Sequence, residues 1–169
     1  MRLIVGTVLA LLLILGVGVY KAKAEVVTPE IQRIVVKDDP GGRLDEYYTS
    51  LVNLKKAGLG VKLDGLCASA CTMIVNTDLN INVCVTQNAS LGIHHPFMMS
   101  SEGEIGYSIP AIVKSGQVWS EVFYKKYPDW LRKFIDDNNG APDVYLGAAP
   151  SDMLRVPFNE LSKHMAVCQ

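Results

Sequence analysis

The chain has 169 residues, with 16 Lys and Arg against 17 Asp and Glu, 49% hydrophobic residues and four cysteines. Charge is nearly balanced, and no basic run or basic-and-aromatic patch stands out, which argues against a nucleic-acid partner. The length fits one domain able to bury its own core, and neither repeats nor low-complexity segments break it.

The first stretch, "MRLIVGTVLALLLILGVGVYKAKAE", has a charged start at Arg2, an apolar run from Leu3 to Val19, and small residues at Ala22 and Ala24. That pattern predicts a secretory signal peptide over residues 1–24 and a domain over 25–169. A retained membrane tether through residues 3–19 stays open, because the run sits at the short limit for crossing a bilayer. Either reading exports the domain, to the periplasm or the medium. The domain then carries 13 basic against 17 acidic residues, a net charge of −4.

"IQRIVVKDD" (31–39) is rich in β-branched residues and bounded by Pro40-Gly41-Gly42, so it reads as a strand ending in a turn. In "RLDEYYTSLVNLKKAG", Leu44, Tyr47, Tyr48, Leu51 and Leu54 recur at helical spacing and Gly58 marks a stop. "GVKLD" (60–64) reads as a short strand and "SACTMIVN" (69–76) as a short buried helix. "NINVCVT" (80–86) and "SLGIH" (90–94) read as two further strands. Alternation of strands and helices predicts parallel pairing through right-handed crossovers, hence a layered α/β domain. Beyond His95-Pro96, "SEGEIGYS" reads as a loop. Ser108 and Pro110 open a helix whose Ile112, Val113, Val118, Trp119, Val122 and Phe123 make an apolar face. Pro128 separates it from "DWLRKFIDDNNG". The tail "DMLRVPFNELSKHMAV" reads as a turn followed by a short helix after Pro157. Trp119 and Trp130 read as packing residues.

Four cysteines in an exported chain point to two disulfides. Three connectivities exist. A turn between Cys67 and Cys71 favours pairing these two, leaving Cys84 with Cys168. Zinc would need a cysteine with His94, His95 or His164, but no C-x-x-C pair is present, so no metal or other cofactor is expected.

The segments "DDPGG", "DGLCAS" and "LGIHHP" each close a strand, and parallel sheets carry their sites at such ends. A Ser at the start of a buried helix has backbone N–H groups nearby to hold developing negative charge, and Gly41-Gly42 lets more backbone come close. A nucleophilic Ser69 needs a base, and His94 continues its strand while His95 alternates to the other face. Thiol chemistry through "CASAC" is a weaker reading, because the spacing is not that of a redox pair.

In order, "DPGG", "GLCASACT" and "NASLGIHHP" resemble the proteolytic subunit of the Clp protease and the exported members of its Clp/crotonase-like group. The resemblance covers roughly Ile31 to Pro96, with a weaker echo at "DMLRVPFNEL". It implies a Clp/crotonase-like α/β fold and a serine hydrolase, most naturally a peptidase acting on a peptide or protein. Ser69 would be the nucleophile and His94 the base. The N–H groups of Gly42 and Ala70 would form the oxyanion hole. The acid would be Asp152, with Asp136, Asp137 and Asp143 as rival carboxylates. The strand and helix that assemble the protease ring are missing, so a tetradecamer is not implied, although a smaller homo-oligomer stays open. The alternative to an enzyme is a disulfide-stapled interaction module on the same fold.

Overall fold

The β-branched run after residue 30 forms strand β1 (Arg33–Val36), shorter than the expected 31–39. In the computed structural model, residues 31–98, 106, 108–143 and 152–169 are described. The expected signal segment, most of the expected "SEGEIGYS" loop and the segment 144–151 lie outside them. Among the described residues, no helix is long and apolar enough to cross a membrane.

Helix α1 (Leu44–Lys56) follows the double glycine, with Asp45 and Glu46 in its first turn and Lys55 and Lys56 in its last, which suits the helix dipole. Leu51 and Leu54 are buried, but Tyr48 is half exposed and lies off the core face, contrary to its place in the expected stripe. The helix ends as expected: Gly58 takes φ +68° and donates to Lys55 O at 3.0 Å. Strands β2 (Gly60–Leu63) and β4 (Val83–Val85) pair in parallel with each other, and β2 with β1.

Two strands emerge where none was expected beside the site. Leu66–Ala68 forms β3, and Leu154–Pro157 forms β6 where a turn was expected. A third, β7 (Ala166–Val167), closes the tail. Together with β5 (Ser90–Ile93) these divide the strands into two sheets, β1-β2-β4-β7, all parallel, and β3-β5-β6, in which β6 runs antiparallel to β5. Strands of two to four residues carry too little alternation to be read from sequence. Helices on mostly parallel strands make this an α/β domain.

The segment Ser69–Val75 is helical, as expected, but of the tighter 3-10 kind. Helix α2 (Ile109–Val118) starts at a Ser108 cap, passes through a π-helical turn at Trp119–Phe123, and ends before Pro128; α3 (Asp129–Asp137) follows. Of the expected apolar face of α2, Phe123 is buried while Ile112 and Val113 are exposed. Pro157 leads directly into the short α4 (Phe158–Leu161), as expected.

The core joins both sheets. Leu51, Leu54, Val61, Leu63, Met73, Ile74, Val85, Leu91, Ile93, Leu131, Ile135, Val156 and Leu161 are buried in it. Burying one such side chain contributes about 1.5–3 kcal/mol.

Cys67 is bonded to Cys71 and Cys84 to Cys168, with Cα–Cα distances of 5.3 and 5.1 Å. This is the favoured of the three connectivities. The first bond closes the Ser69 loop; the second fastens the tail to β4. Both suit an extracellular or periplasmic location.

Candidate active site at the rim of the small sheet

Ser69 follows β3 directly and is half-buried at φ +55°, a region that side-chain-bearing residues seldom occupy. The sharp turn is held from several sides. The Cys67–Cys71 bond spans it. Thr72 Oγ1 donates to Ser69 O at 2.6 Å, and Tyr127 OH lies 2.6 Å from the same Thr72 oxygen. Tyr127 is fully buried, and burial raises its phenol far above the ordinary value, so it stays protonated as a donor.

The Pro-Gly-Gly turn is strapped against this loop. Asp39 N donates to Leu66 O at 2.7 Å and Ala68 N to Asp39 O at 2.8 Å. Asp39 Oδ1 also accepts from Gly41 N at 2.9 Å and from Tyr47 OH. Desolvation, then the neighbouring Asp39, raises the Tyr47 phenol. Gly41 has φ +88°, and a Cβ there would stand 2.6 Å from Ala68 O and from Ser69 Cβ and 2.8 Å from Ala70 N. Only glycine fits so close an approach. Gly42, the expected oxyanion donor, is the looser of the two, since a Cβ there would meet only Tyr47 Cε2 at 3.5 Å. Its N–H makes no hydrogen bond with the described residues. Ala70 is the second residue of the 3-10 segment, and its N–H therefore has no partner within that segment.

Register brings the other expected residues to this rim. Ala68 pairs with Gly92 and Ile93 with Leu154, so Ser69 follows the end of β3 and His94 the end of the neighbouring β5. Asp152 is exposed and stands two residues before β6, at the same end of the sheet. No hydrogen bond links Ser69 Oγ to His94 among the described residues. His94 is 6% exposed, and its Nδ1 lies 2.6 Å from His95 O. Burial holds its imidazole below the ordinary value, against the opposing pull of that carbonyl. His94 is therefore neutral at neutral pH. A carbonyl only accepts, so the ring proton is on Nδ1 and Nε2 keeps a free lone pair.

The two histidines part company, although β5 ends at Ile93, one residue short of the expected strand, so strand alternation does not run through them. The His95 ring packs on Trp119 at a centroid distance of 4.7 Å, and its Nδ1 lies 2.8 Å from Asp143 Oδ1. Sequence reasoning placed Asp143 only among several rival carboxylates, and nothing in "NNGAPDV" marks it as a partner of His95. The Asp39 turn, by contrast, was detectable, because an Asp two residues before a glycine is a common side-chain-capped turn. His164 shares none of these contacts. It stacks on Trp130 at 4.7 Å and lines a cleft of about 500 Å³ with Asn76 and Asn80, at the beginnings of β4 and β7. Among the described residues, no group of three or more His, Cys, Asp or Glu side chains could hold a metal ion.

The chain matches no family model and no curated protein sequence.

Proposed function

We propose that this protein is an exported serine hydrolase, most naturally a peptidase, with a Clp/crotonase-like arrangement of its two sheets. The observation that carries this reading is Ser69 held at φ +55° against Gly41, at the strand end beside a buried, neutral His94. Backbone at so unfavourable an angle costs about 1–3 kcal/mol and persists only where the surroundings impose it, as they do at reactive turns.

In this reading Ser69 Oγ attacks a substrate carbonyl carbon while His94 Nε2 takes the hydroxyl proton. The N–H groups of Gly42 and Ala70 hold the negative oxygen of the tetrahedral intermediate. The intermediate collapses as the C–N or C–O bond breaks, and His94 returns the proton to the leaving group. Water then repeats the sequence on the acyl-enzyme, freeing Ser69. Asp152, from the same rim, is the carboxylate that offsets the imidazolium charge. The Ser69–His94 hydrogen bond belongs to the substrate complex, where such contacts tighten. The substrate is a peptide or protein, and the oxidising compartment is the periplasm or the medium.

The exposed Ile109, Ile112 and Val113 on α2 favour a second reading, a disulfide-stapled interaction module. A fluorophosphonate probe separates the two. Wild-type protein is expected to be labelled at Ser69, with no labelling of Ser69→Ala and a sharp loss in His94→Ala. A folded wild type that resists the probe decides for the module.

A further inference from the structure

The His94 ring is oriented by a carbonyl, and that carbonyl belongs to one of the most firmly held residues in the rim. His95 N donates to Pro142 O at 3.0 Å. His95 Nδ1 approaches Asp143 Oδ1 at 2.8 Å, and its ring rests on Trp119. The next peptide is held as well, because the buried Ser115 donates its hydroxyl to Pro96 O. Asp143 Oδ1 is buried, and its 2.8 Å approach to His95 Nδ1 is a close polar contact short of an aligned hydrogen bond. That oxygen has no other partner among the described residues, while the Asp143 side chain as a whole is 37% exposed.

We propose that Asp143 is a positioning residue for His94, acting through His95. It clamps the His95 peptide so that its carbonyl keeps the His94 proton on Nδ1 and leaves Nε2 free toward Ser69. The meaning of that lone pair for catalysis rests on the hydrolase reading; the clamp itself does not. The negative charge thus sits one residue away from the base and reaches it through a peptide group. Trp119 and Asp143 hold the His95 ring, and Pro142 O holds the N–H of the peptide just before that group.

Long-range proton–nitrogen NMR on the histidine-labelled domain reads the tautomer directly, with the His94 signals assigned by their loss in His94→Gln. Wild type is expected to show neutral His94 with Nδ1–H. In Asp143→Ala the two tautomers should mix, and fluorophosphonate labelling should slow about tenfold. Asp143→Asn keeps an acceptor oxygen and should restore the single tautomer. Asp152→Ala should leave it unchanged. A wild-type His94 protonated on Nε2, or a tautomer indifferent to Asp143→Ala in the folded protein, overturns the proposal. So does scrambling by Asp152→Ala in place of Asp143→Ala. Should Asp143→Ala not fold, His95→Phe keeps the stack on Trp119 and removes the nitrogen that faces Asp143; an unmoved His94 tautomer there is equally fatal. Wild type that shows the expected tautomers yet never reacts with the probe sinks the hydrolase reading and leaves the clamp standing.

Discussion

The four-stranded sheet β1-β2-β4-β7 is parallel throughout and in continuous register, while the three-stranded sheet β3-β5-β6 is mixed and carries the crowded turn at Ser69. Asp38 at φ +46°, Gly41 at +88° and Ser69 at +55° all surround the start or end of β3. Each sheet has one disulfide, and the two differ in reach: Cys84–Cys168 spans 84 residues and Cys67–Cys71 only 4. A large regular sheet supplies stability, and a small irregular one holds a few side chains in place. The difference teaches that global stability and site geometry can be attacked separately.

The largest effect is expected from Cys84→Ser with Cys168→Ser. Loop-closure entropy puts its cost at roughly 4–5 kcal/mol, against roughly 2 kcal/mol for the same exchange at Cys67 and Cys71. Denaturant unfolding should rank them so, while labelling of Ser69 should suffer more from the smaller bridge. Equal losses of labelling would erase the distinction between the sheets.

Gly41→Ala comes next. Positive φ and contacts of 2.6 Å to Ala68 O and Ser69 Cβ should cost roughly 2–4 kcal/mol and abolish labelling. Gly58→Ala is its control: φ +68° is similar, but nothing lies within 4 Å, so about 1 kcal/mol and full labelling are expected. If both glycines behave alike, crowding at the turn is not what singles out Gly41.

A smaller effect follows from His94. Its folded-state value lies below the ordinary histidine value of about 6.5, so the unfolded chain binds the proton more readily. Stability from this group is complete above about pH 6.5 and is lost as pH falls toward the folded value. In the hydrolase reading, labelling should likewise hold steady through neutrality and decline only below about 6.5, as protonation would remove the proposed base. In a pH series, a midpoint at or above 6.5 would contradict the burial of this ring.

Smallest is Ser115→Ala, expected to cost about 1 kcal/mol by freeing Pro96 O from its hydroxyl partner. Thermal unfolding measures it.

Legibility in the sequence divides along the same line. β1, β2, β4 and β5 were visible because short apolar runs sit between glycine, proline and asparagine punctuation, β-branched in Arg33–Val36. The stop of α1 at Gly58 was equally plain. β3, β6 and β7 were not, since segments such as Leu66–Ala68 are defined by their neighbours in space and not by their own pattern. For the same reason the division into two sheets was invisible. At the site, the double glycine and the small residues around Ser69 announced a close backbone approach, although Gly41 is the crowded position and Gly42 the free one. The link from His95 to Asp143 crosses 48 positions of sequence without a motif at either end, and only folding reveals it.

Strand β7 has only two residues, paired with Cys84 and Val85, and Cys168 N donates to Val85 O at 3.0 Å just beyond them. So short a ladder would ordinarily open far more often than the rest of its sheet. The sulfur link keeps the opened strand within reach of β4, so reclosure is a local event and not a search. In the oxidised protein the amides of β7 should therefore exchange with solvent hydrogen as part of the same cooperative unit as β4. In the reduced protein they should exchange as a frayed end. The boundary of cooperative unfolding thus shifts with the redox state of one bond, while the strands beneath it keep their places.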